Sequence, residues 1–150
     1  MSNNEEILAV FREFLDCILV RRDLRGLLNL LSPEIAGFGT ADHELLNDFP
    51  EVKAQYERQF AQVDQPIYYK MYYEKGLHPT PDVAVVMAKI NMYAELPEGP
   101  LRLNGFRRTV VFRREKGGWK VCHFHASLPE ADVKPGEAYP LQAIAERNRE

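Results

Sequence analysis

Two histidines, His123 and His125, stand two residues apart in the run Trp119-Lys-Val-Cys-His-Phe-His-Ala-Ser127. Imidazoles at that spacing on a strand project from one face, where they can exchange protons, donate to a ligand or hold a metal. A metal needs a third ligand, for which only His43, Asp42 or Glu44 presents itself, and no metal site is predicted. The loop Gly39-Thr-Ala-Asp-His-Glu44 groups three ionisable side chains. It suits either the mouth of a pocket or ordinary turn and capping chemistry. Asp16 stands beside Leu15 and Cys17 in a helical pattern, as a pocket carboxylate or on a solvated helix face. The catalytic candidates are therefore His123, His125, Asp16 and Asp42. In that chemistry a histidine is the base, a carboxylate orients it, and a tyrosine of Tyr68–Tyr73 is the oxyanion donor. The plainer alternative is a pair of hydrogen-bonded, half-buried histidines.

Alternation along the last strand places Trp119, Val121, His123, His125 and Ser127 on one face. Lys120, Cys122, Phe124, Ala126 and Leu128 take the other. Because Trp119 and Val121 seek the core, both histidines are expected on the concave side. In Ile67-Tyr-Tyr-Lys-Met-Tyr-Tyr73, one face carries Tyr68, Lys70 and Tyr72, and the other Tyr69, Met71 and Tyr73. One set lines a pocket and the other covers an outer face suited to subunit contact, and alternation leaves open which. Arg107 and Arg108 point opposite ways, and the inward one favours an acidic ligand or pairs with an internal carboxylate. We place His123, His125, Trp119, Tyr68, Tyr72, Arg107, Phe38 and Phe14 among the ligand-binding candidates.

These side chains need elements to hold them. Asn3 or Asn4 can cap a first helix whose stripe is Ile7, Leu8, Phe11, Phe14, Leu15, Ile18 and Leu19. Asp23 can cap a short second helix through Leu31, with Pro33 just beyond it. Residues 34–40, EIAGFGT, read as a brief strand at a sheet edge, and Pro50–Val63 as a third helix. Four strand patterns follow: Ile67–Gly76, Val83–Glu95, Leu101–Glu115 and Trp119–Leu128. Short turns join them into an antiparallel meander. Strands of ten or more residues exceed the usual five or six, so the sheet must twist and bend, leaving a concavity under the helices. The architecture expected is α+β, three N-terminal helices on a strongly bent antiparallel sheet. Residues 1–128 form the domain, and 129–150 a proline-bearing tail ending in a short helix.

The composition of the 150 residues agrees with one domain. With 45% hydrophobic and 27% charged residues the chain is neither disordered nor fibrous, and it can build its own core. Nineteen Lys and Arg against 22 Asp and Glu leave a net charge of −3, which argues against nucleic acid as partner. The acidic N-terminus lacks the basic start of a secretory signal, and Asp16, Arg21 and Arg22 interrupt any membrane span. Two cysteines, Cys17 and Cys122, without metal spacing read as buried free thiols. A cytoplasmic location is expected.

The order of elements, with Arg107 and Thr109 followed by Trp119, Val121, His125 and Ser127, resembles the SnoaL-like group of the NTF2-like superfamily. There the final strands often read Arg-x-Thr, a turn, then Trp-x-Val/Ile-x-x-x-His-x-Ser. Gly39, Thr40, Asp42 and Glu44 match a Gly-Thr-x-x-Asp-Glu loop with one residue placed differently. The resemblance spans residues 3–128. It implies a cone-shaped, cystatin-like α+β fold with a deep cavity, paired as a homodimer through the outer sheet face. Relatives include polyketide cyclases, ketosteroid isomerases, dehydratases and kinase-association domains. The catalytic ones generally use an Asp or His base with a Tyr or Asp oxyanion donor. No residue here matches such a set one for one, and a fold does not carry a reaction with it. Three functions stand open. The first is a binding module for an unidentified small molecule in a hydrophobic, histidine- and tyrosine-lined pocket. The second is a cofactor-independent isomerase, cyclase or dehydratase, and the third a structural oligomerisation domain. A carboxylate or phenol within reach of a pocket histidine marks the second, and a cavity filled by side chains the third.

Overall fold

In the computed structural model, which describes residues 2–149, helix α1 (Asn3–Ile18) is capped by Ser2, one residue before the expected asparagines. The Ser2 hydroxyl accepts from the Glu5 amide at 3.1 Å, and the Glu5 carboxylate accepts from the Ser2 amide at 3.1 Å. Two of the helix's unmet donors are thereby satisfied, with Glu5 and Glu6 at its positive end. The stripe Ile7, Phe11, Phe14, Leu15 and Ile18 is buried.

Helix α2 (Leu24–Asn29), capped by Asp23, stops two residues short of the predicted Leu31. Strand β1 (Leu31–Phe38) starts there instead, with Pro33 inside it. Proline is tolerated because β1 and its neighbour fall out of register between Leu31 and Ala36, where no ladder amide is required. A two-residue strand, β2 (Leu45–Leu46), and helix α3 (Phe49–Gln62) follow. Then come β3 (Tyr68–Thr80), β4 (Val83–Leu96), β5 (Gly99–Glu115) and β6 (Gly118–Ser127). A last helix, α4 (Leu141–Arg147), buries none of its residues.

The sheet order is β2-β1-β6-β5-β4-β3. Strands β3 to β6 form the expected antiparallel meander, whereas β1 adds in parallel to β6 and β2 takes the edge that β1 was expected to hold. Four bulges bend the antiparallel meander, one of them near the end of β3, where His78 and Pro79 face the single Ala84 of β4. Tyr72 is an extra residue of β3, Asn104 and Gly105 of β5 face the single Asn91 of β4, and Cys122 is an extra residue of β6. Asn91 ties two of them together. Its amide oxygen accepts from the Gly105 amide at 2.8 Å and its nitrogen donates to the Tyr72 hydroxyl at 3.2 Å. Gly105 adopts φ 74°, open to glycine without strain.

Each bulge changes which side chains share a face. Phe112 pairs with Val121, but Val111 pairs with His123, so Cys122 interrupts the alternation of β6. Trp119 and Val121 point inward as expected, and beyond the bulge Phe124 and Ala126 do so. His123, His125 and Ser127 therefore lie on the outer face, opposite to the face predicted for them. Tyr72 acts likewise on β3. Tyr69 and Met71 face inward, packed against the core, while Tyr73 joins Tyr68 and Tyr72 on the exposed side.

Candidate functional site

Between α1, α3 and the inner sheet face lies a cavity of about 450 Å³. Its wall is mainly apolar, with Leu15, Ile18, Met92, Phe106, Phe124 and Ala126. Against this wall stands Arg108, carried inward by β5 with Phe106, Val110 and Phe112. Its guanidinium lies between two rings, 5.2 Å from the centroid of Phe14 and 5.0 Å from that of Phe124. Nη2 donates to the Tyr56 hydroxyl at 2.8 Å. The Nε hydrogen is buried without a partner, and among the described residues Arg108 forms no ion pair. A cation on an apolar wall without a counter-ion is an unfavourable arrangement that an anionic guest would relieve.

Opposite polarity enters from the loop after β1. The Glu44 amide donates to the Ala41 carbonyl at 3.0 Å and the Gly39 amide to the Glu44 carbonyl at 2.9 Å, folding the loop on itself. The Glu44 carboxylate accepts from the Ala41 amide at 3.3 Å and from Gln55 Nε2 of α3 at 2.9 Å. Arg58 in turn donates to Gln55 Oε1 at 2.6 Å. Glu44, Gln55, Tyr56 and Arg108 thus share one cavity. Arg22 borders it too, donating to the carbonyls of Ile18 at 2.7 Å, Gln59 at 3.0 Å and Val63, while its Nε hydrogen, like that of Arg108, is buried without a partner. It ties together the C-terminal ends of α1 and α3, and burial lowers its pKa from the ordinary value.

The predicted site residues are dispersed. His125 is exposed, its ring 5.2 Å from that of Phe38, which is exposed beside it. His123 donates from Nδ1 to the Ala36 carbonyl at 2.9 Å. Tyr68 and Tyr72 are exposed on the outer face, and so is Arg107, which donates from Nε to Ser127 Oγ at 3.2 Å. Trp119 is buried near the start of α1, its indole donating to Glu6 at 3.1 Å and its ring 4.2 Å below the Arg114 guanidinium. Asp42 and His43 are exposed in their loop. Asp16 accepts from the Tyr69 hydroxyl at 2.6 Å, and burial, reinforced by that carboxylate, pushes the phenol's pKa up. Of the predicted set, only Phe14 touches the group that dominates the cavity. The pairing of a histidine with Asp16 or Asp42 is not assembled, because the Cys122 bulge puts the sheet between the histidines and the cavity.

Sequence reasoning passed over Arg108, Tyr56, Gln55 and Glu44 as a set. A signal existed for the first, since Arg108 has the parity of Phe106, Val110 and Phe112, whereas Arg107 shares that of Thr109 and Val111.

A family model for the SnoaL-like domain matches residues 7–131. Among solved structures, an NTF2-like family protein from Streptomyces avermitilis with a provisional dehydratase assignment is 20% identical, with a TM-score of 0.75 over 85% of this chain and 97% of that one. An NTF2-like protein of unknown function from Pseudomonas putida KT2440 is also 20% identical, with a TM-score of 0.71 over 84% and 86% of the two chains. The CaMKII hub of S. rosetta is 19% identical, with a TM-score of 0.67 over 85% and 97%. No curated protein matches the chain. Among the described residues no helix is long and apolar enough to cross a membrane.

Proposed function

The chain belongs to the SnoaL-like domain family, and from that premise we propose that it is a receptor for a small molecule with an apolar body and one anionic end, working as a homodimer. The observation that carries this reading is Arg108, a guanidinium held between two aromatic rings in the cavity wall with one hydrogen unmet and no carboxylate partner. A carboxylate-bearing guest would meet a charge-assisted donor in a low-dielectric wall, while its apolar part displaces poorly bound water. The cavity volume of about 450 Å³ falls in the range of small-molecule sites.

Homodimerisation draws support from the outer sheet face, where Tyr68, Tyr72, Tyr73, Leu77, Met87 and Phe38 are all more than 40% exposed. Exposed aromatic and aliphatic side chains gathered on one sheet face are a common mark of an interaction site. Sedimentation velocity tests it. Wild type should run as a dimer, and Met87→Asp should shift it toward monomer.

The binding test uses 2-naphthoate and its neutral amide as calorimetric probes. The acid should bind at least tenfold more tightly than the amide, and Arg108→Met should erase that preference. Equal binding of both, or a preference that survives in the variant, refutes the reading.

One observation favours a second reading, proton-transfer catalysis. The Glu44 carboxylate shares the cavity with the Tyr56 hydroxyl and Arg108, as a base would with its oxyanion donors. This catalyst would use no histidine and no cofactor. Turnover of an enolisable ketone that is lost in Glu44→Gln would favour it over binding alone.

A further inference from the structure

The outer sheet face carries a second concentration of donors. Lys89 of β4 and Arg107 of β5 are register partners, and Ser127 of β6 is the partner of Arg107, so the three form one row. Thr109 and His125 stand in the next row. Together with His123 they line a depression of about 600 Å³ to which no aspartate or glutamate contributes. Like charges directly opposite across two strands repel one another. Among the described residues neither Lys89 nor Arg107 makes an ion pair, and Arg107 has only the neutral Ser127 hydroxyl.

A second copy applied to this face would not relieve the repulsion. That copy brings the same depression, which holds no carboxylate, and Glu34 and Glu115 of the same face already share Arg113 at 2.9 and 2.7 Å. Pairing would instead bury further unpaired cations, which is costly without a counter-ion.

We propose that this depression is an oxyanion site for inorganic phosphate or a phosphate monoester, held by Lys89, Arg107 and Ser127, with Thr109 and His125 as further donors. Its occupancy promotes the pairing of two copies. That second part rests on the dimer reading above, whereas the site itself does not.

The test is calorimetric titration of inorganic phosphate at constant ionic strength into wild type, Lys89→Gln, Arg107→Gln and Arg108→Met. Both outer side chains are exposed, so their loss leaves the core intact. Wild type should bind saturably, and each outer variant should bind about tenfold or more weakly. No saturable binding overturns the site. So does binding lost in Arg108→Met but kept in both outer variants, which would place phosphate in the interior cavity. Sedimentation in the same buffers tests the linkage, with phosphate shifting wild type toward dimer but not Arg107→Gln. A dimer fraction indifferent to phosphate overturns the linkage. A chain monomeric in every buffer overturns the dimer reading and the linkage with it, leaving the isotherms to decide the site.

Discussion

Replacing Arg108 with methionine should leave the fold nearly as stable while removing its preference for anionic guests. The unmet, buried Nε hydrogen disappears, a gain of about 1–3 kcal/mol. The hydrogen bond to Tyr56 is lost, at about 0.5–1.5 kcal/mol, and so are contacts with the rings of Phe14 and Phe124, at about 0.5–2 kcal/mol each. Methionine fills much of the same space with a flexible apolar chain. At the middle of each range the terms cancel to within about 2 kcal/mol, which for a chain of this length is a shift of several degrees at most. Guanidinium denaturation of both proteins gives the stability, and naphthoate against naphthamide titration of the same preparations gives the binding. A loss above about 3 kcal/mol with the acid preference intact would refute the reasoning. Arg108 would then be a structural clamp between β5, α1 and α3, and the counter-ion would be sought elsewhere.

Three other outcomes follow from the packing. A methyl group on Gly37 would lie 2.5 Å from the Phe124 carbonyl oxygen and 2.9 Å from its ring, so Gly37→Ala should cost about 1–3 kcal/mol in urea unfolding, and an unchanged midpoint would contradict the contact. Asn91→Leu leaves the buried Gly105 amide without its acceptor and should cost about 1–3 kcal/mol, with faster amide exchange at Gly105 than in wild type. Tyr69 keeps its proton to higher pH in the folded chain than in the unfolded one, whose phenol has the ordinary value of 10.0. The folded state therefore binds more protons above pH 10.0, and wild-type stability should fall as pH rises through that region. Tyr69→Phe should flatten this slope in urea titrations, and equal slopes would show that another group is responsible.

The helices and the meander were legible because periods of 3.6 and 2 persist along α1, α3 and the four long strands. What alternation could not carry was parity across a bulge. Nothing in Trp119-Lys-Val-Cys-His signals that Cys122 is the extra residue, because the choice depends on how β6 meets Phe112 and Val111 of β5. The two histidines were thus read correctly as a pair and assigned to the wrong side. The tyrosine run failed in the same way at Tyr72, whereas Tyr69 and Met71, before the bulge, kept their shared face. β2 was missed because two residues contain no period. The cavity's polar groups lay in plain view as single residues, but Glu44 meets Gln55 only once the loop has folded back on α3. The parallel pairing of β1 with β6 is a long-range choice that local pattern does not encode.

The extra residue at Cys122 has a consequence for how this chain can change over generations. Substitution alters the cavity wall or the outer surface one side chain at a time. Loss of the Cys122 codon would straighten β6 yet leave Val121 inward, His123 and His125 outward, and Phe124 and Ala126 inward by plain alternation. The two surfaces exchange only if Cys122 takes a ladder place of its own opposite Val111, which turns the rest of the strand over. The extra residue is thus slack in the length of β6, and shortening there is open to the chain while both surfaces are under selection.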